Sequence, residues 1–87
     1  MALVNSNVAA ENPNATAVQM LRGALMDELS ATNLYDELAK EIPKYADILE
    51  EIKHDEINHQ GRLMQIILEI DPSQLEYFKA GMNQEEA

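Results

Sequence analysis

The chain has 87 residues, with sixteen Asp and Glu against six Lys and Arg, a formal charge of −10 at pH 7, and no cysteine. That charge repels nucleic-acid phosphates and anionic lipid and favours cations, and the missing thiols exclude disulfides, zinc knuckles and rubredoxin-type iron centres. A chain this short makes one small domain at most and buries too small a fraction of its surface to be comfortably stable alone, so a partner is expected.

Residues 1–14 are rich in Asn and Ala, include Pro13 and show no sustained apolar period, which predicts a loosely held leader. The leader has neither the basic start nor the long apolar core of a signal peptide. No stretch reaches the length of a membrane-spanning helix, and a soluble, cytoplasmic protein is expected. From about Ala15 to Ile42 the apolar residues Val18, Leu21, Leu25, Tyr35, Leu38, Ala39 and Ile42 fall along one broad helical stripe, broken by Pro43. A second helix is predicted from about Lys44 to Ile70, with Ile48, Leu49, Ile52, Leu63, Ile66, Ile67 and Ile70 along one face. Asp71 as N-cap, Pro72 as first helical residue and Gln74 two further on predict a capping box opening a short helix that Gly81 stops. The expected organisation is a leader over 1–14, a helical hairpin over 15–71, and a short C-terminal helix and tail over 72–87. The fold class is all-α. Each long helix carries an apolar stripe too wide for one neighbour, and pairing two hairpins into a four-helix bundle covers it.

Three polar residues sit where apolar ones belong. At about 100° per residue, Ala17, Leu21, Tyr35 and Ala39 land within about 20° of Glu28. On the second helix Leu49, Leu63 and Ile67 fall within about 20° of Glu56, and His59 within about 60°. Glu-x-x-His occurs twice here, but Glu51 and His54 project more than about 130° from the stripe centre, towards water, so only Glu56 and His59 are internal. In a hairpin turning near Pro43 the three residues share one level, since Glu28 lies fifteen residues before the proline and Glu56 and His59 lie thirteen and sixteen after it. Buried carboxylates need a partner or a cation. A two-fold axis doubles the set to four carboxylates and two imidazoles, enough for two metal ions, with residues three apart gripping an ion from one side. This oxygen-rich ligation with imidazole suits iron or manganese and is compatible with zinc. Asp27 and Asp36 lie on the flanks of the first helix and Glu37 opposite, as a solvated face. Thr32 and Gln60 are candidate hydrogen-bonding partners of the ligands, Asp27 and Tyr35 candidates for the route of access, and Tyr35 reads equally as ordinary core.

The segments Asp27-Glu28-Leu29-Ser30-Ala31-Thr32-Asn33-Leu34-Tyr35 and Ile48-Leu49-Glu50-Glu51-Ile52-Lys53-His54-Asp55-Glu56-Ile57-Asn58-His59 resemble the encapsulated ferritins, short two-helix members of the ferritin-like di-iron superfamily. The similarity covers about residues 20–72. Glu28, Tyr35, Glu56 and His59 match the family pattern, whereas Leu34 stands where the family commonly has tryptophan and Ser30 where it has a further acidic residue. The resemblance implies that Glu28, Glu56 and His59 ligate iron, two ions per dimer, that ferrous iron is oxidised there by oxygen, and that dimers assemble into a ring. It also implies an encapsulin shell as partner and a place inside a protein nanocompartment, although Met82-Asn-Gln-Glu-Glu-Ala87 is no apolar targeting peptide.

The expected function is therefore a ferroxidase for iron storage or detoxification, with the ligands holding geometry and the metals carrying the redox chemistry. Two other readings stand beside it. One is a metal-free or structural-metal acidic interaction module, in which a Glu-His-Glu network fixes dimer register and the last helix offers Leu75, Tyr77, Phe78 and Met82 to a partner. The other is a di-metal oxidoreductase of rubrerythrin type. Nucleic acid and membrane are not expected partners.

Overall fold

The computed structural model describes residues 13–84. The predicted leader falls almost wholly on residues 1–12, which lie outside the described part, as does the tail from residue 85. All regular structure among the described residues is helical: α1 (Ala15–Glu41), a single 3₁₀ turn (Pro43–Tyr45), α2 (Ala46–Ile70) and α3 (Ser73–Met82).

Prolines set the breaks. The Pro ring disfavours the helical region for the residue before it, and Ile42 (φ −130°, ψ 69°) and Asp71 (φ −139°, ψ 75°) both leave it. The chain restarts α2 two residues later than predicted, because Pro43 first opens the 3₁₀ turn. Cross-helix contacts show that α1 and α2 run antiparallel. Lys53 Nζ lies 3.0 Å from Asp36 Oδ1, Gln60 Nε2 lies 2.8 Å from Thr32 Oγ1, and Asn14 Nδ2 lies 3.2 Å from the Ile70 carbonyl. Residue numbers climb on one helix as they fall on the other.

The start of α3 departs from the predicted capping box. Its first helical residue is Ser73, and the Gln74 amide and Ser73 hydroxyl each donate to the Asp71 carboxylate at 2.7 Å. The N–H groups of Gln74 and Leu75 go instead to the carbonyls of Asp71 and Pro72, at 3.1 Å. A short Asp side chain that has accepted two side-chain donors satisfies the turn without the reciprocal box. Gly81 does not stop the helix either. It keeps a negative φ, and the Asn83 N–H still reaches the Lys79 carbonyl at 3.0 Å.

Packing is thin. Among the described residues only Val18, Leu49 and Ile67 are buried apolar side chains. The radius of gyration is 17.3 Å, against about 12 Å for a globular chain of this length. Residues predicted on the apolar stripes divide into two sets. Leu49 and Ile67 face α1, while Ile48 and Ile66 are 57% and 45% exposed. At about 100° per residue, Ile48 and Ile66 fall within about 20° of His59 along α2, so one side of the hairpin carries an uncovered apolar stripe through His59. No helix among the described residues is long and apolar enough to cross a membrane.

Candidate metal centre

Glu28 stands near the middle of α1, and Glu56 and His59 occupy successive turns of α2. The antiparallel register brings them together: one ligand atom from each lies within 4.8 Å of the other two. His59 Nδ1 is 3.5 Å from Glu28 Oε1. Glu28 and Glu56 are half-buried. His59 is not enclosed by its own chain: its side chain is 52% exposed, against 23% for Glu28. In the single hairpin an offset of about 60° from Glu56 carries His59 onto the open stripe and not between the two helices.

Electrostatics set Glu56 apart from ordinary surface acids. The Glu56 carboxyl is held above the usual carboxylate range, first by hydrogen bonding with Glu28, then by partial burial and the charge of Glu28, with His59 working in the opposite direction. The Glu28 Oε2 atom is buried and receives no hydrogen bond. With both carboxyls ionised, two acceptors crowd one small volume, and a carboxylate accepts but does not donate. A shared proton or a cation satisfies them. Four carboxylate oxygens and one imidazole per chain form a hard, oxygen-rich donor set, which suits iron or manganese and tolerates zinc.

The remaining candidates fall into two groups. Gln60 Nε2 donates to Thr32 Oγ1 at 2.8 Å and to the Glu28 carbonyl at 3.5 Å, while the Thr32 hydroxyl donates to the same carbonyl at 2.9 Å. These bonds hold the backbone of Glu28 and do not reach its carboxylate. Asp27 is exposed and Tyr35 half-buried, and neither belongs to the group of converging ligand atoms. The other Glu-x-x-His copy, Glu51 and His54, is exposed, and His54 Nε2 lies 3.0 Å from Glu50 Oε2. Arg62 escaped the sequence reading. It lines, with Ala24, Glu28, His59 and Leu63, an open depression of about 410 Å³ that reaches two of the three ligands. Its spacing of three from His59 was the available signal, hidden because Arg62 falls about 120° from the stripe centre.

No family model matches this chain, and no solved structure matches it. It is 33% identical over 69 residues to a protein of Pyrococcus furiosus named as a ferritin-like-encapsulin shell fusion protein. The matched region covers 77% of this chain and 20% of that relative, so the chain corresponds to about a fifth of the relative's length.

Proposed function

We propose that two copies of the hairpin pair along the open stripe through His59 into a ferritin-like four-helix bundle, where their two triads hold two iron ions and oxidise ferrous to ferric iron with oxygen. The observation that carries this reading is the meeting of Glu28 and Glu56 from different helices, with Glu28 Oε2 buried and undonated, beside an imidazole three residues along. The donor set repeats, per two-fold pair, the inventory of di-iron carboxylate proteins: one Glu from each of two helices and Glu-x-x-His from each of the other two. Each ferrous ion gives one electron, and two electrons with two protons convert dioxygen to hydrogen peroxide. Iron is here substrate, and the protein residues bind, orient and neutralise it. The relative's name supports a ferritin-like character and an encapsulin shell as partner.

The test is anaerobic addition of ferrous iron to the apo-protein, reading bound iron and assembly mass together, followed by oxygen. We expect about one iron per chain, a rise in mass and rapid growth of ferric absorbance. Absence of tight iron binding sinks the proposal.

A second reading has its own observation. Met64, Leu68, Leu75, Tyr77, Phe78 and Met82 line an apolar groove of about 510 Å³ between α2 and α3, which suits an interaction module that seats an apolar segment of another protein. Metal content separates the two readings.

A further inference from the structure

Two helices that bury only three apolar side chains between them are poorly held against sliding. Apolar contacts of this kind are non-directional, and a slip of one helical turn moves a side chain by about 5.4 Å. The triad does not tolerate that, since its ligand atoms lie within 4.8 Å of one another. Something directional must fix the height at which Glu28 meets Glu56 and His59.

Apart from the contacts within the triad, Glu28 to His59 and Glu28 to Glu56, polar contacts join α1, or the residue just before it, to α2 at three places among the described residues. The Asn14 amide to the Ile70 carbonyl and the Lys53 ion pair with Asp36 are exposed. Exposed pairs of this sort contribute little and break easily. The third, from Gln60 to Thr32 and Glu28, is part-buried and stands one residue from His59 and one turn from Glu28. Its bonds are chained: the Gln60 amide donates to the Thr32 hydroxyl, which donates to the Glu28 carbonyl, and the same amide leans on that carbonyl directly. Such chains polarise one another and are costly to leave half made, and a buried polar contact is a recognised way to fix helix register.

We infer that Thr32 and Gln60 are positioning residues, a clamp that sets the register of α1 against α2 so that Glu28, Glu56 and His59 form one ligand group. The inference rests on the metal-binding reading for its purpose, though not for its geometry. A slip by one residue along α2 also turns the helix by about 100°, so losing the clamp misdirects the ligands as well as displacing them.

The test uses the full chain with Thr32→Val and Gln60→Met, which keep size and remove the bonds, and Thr32→Ser, which keeps the hydroxyl. Two readouts are taken at equal helicity by circular dichroism. Without metal, the nuclear Overhauser contact between the His59 ring and the Glu28 side chain reports register. With cobalt(II) added, the visible ligand-field bands report coordination. We expect Thr32→Val and Gln60→Met to lose the contact and to shift or weaken the bands at least twofold, while Thr32→Ser keeps both. Retention of the contact in Thr32→Val and Gln60→Met overturns the clamp. If cobalt binds none of the proteins, the wild type included, while the contact still depends on Thr32 and Gln60, the metal reading fails and the register inference stands.

Discussion

A carboxylate at the centre of an apolar stripe is conspicuous because its cost must be offset locally, and Glu28 offsets it only in part. One oxygen lies 3.5 Å from His59, and the other is buried without a donor. Glu56→Ala or His59→Ala should therefore abolish stoichiometric iron binding with helicity nearly unchanged, whereas Glu51→Ala and His54→Ala should leave binding intact. Equal losses from both pairs, read by equilibrium dialysis, contradict the assignment. Protons test the same site. The Glu56 carboxyl is raised above 4.5, so its contribution to stability is full below the unfolded value and is lost as pH rises through the folded one. Asp71, lowered from 3.8, acts only in more acidic solution, and Lys53, raised from 10.5, only in more alkaline. As pH rises above 4.5 the apo-protein should lose thermal stability, Glu56→Gln should flatten that slope, and a divalent cation should remove it by taking the proton's place. A slope unchanged in Glu56→Gln assigns the effect to other groups.

At the scale of the element, what was legible in the sequence was periodic. The two long helices follow from apolar spacing and from prolines that act through backbone geometry alone, and Glu56, half-buried, separates from the exposed Glu51 by phase because phase needs nothing beyond the helix itself. Features that depend on a neighbour were not legible. The capping box at Asp71 gave way to two side-chain donors, Gly81 was read through, and Arg62 was passed over because the depression it borders exists only once α1 lies beside α2. The exposure of His59 likewise depends on how far α1 wraps its partner. Ile67 marks where that wrapping is complete, at 1% exposure. Ile67→Ala should cost about 2–5 kcal/mol, read as a lowered denaturant midpoint, and a cost near zero means that the two helices do not pack in this register.

For the whole molecule the decisive quantity is the apolar surface one hairpin leaves open. Ile48 and Ile66 flank His59 on the same side of α2 and remain 57% and 45% exposed, so neither contributes much to the stability of its own chain. Substitutions at such positions fall within about 0.5 kcal/mol when nothing covers them. A partner changes that result. If a second copy lies along this stripe, Ile48→Ser with Ile66→Ser should leave the single hairpin as helical as before and weaken self-association at least tenfold, measured by sedimentation equilibrium. Metal should act in the opposite sense, because a ligand that binds only the paired form stabilises it by about 2.7 kcal/mol at a hundred times its dissociation constant. Iron added to the double variant should then recover part of the lost association, but not in the presence of Glu56→Ala. If the double variant associates as the wild type does, the partner lies on another face, and the apolar groove between α2 and α3 becomes the surface through which the chain assembles.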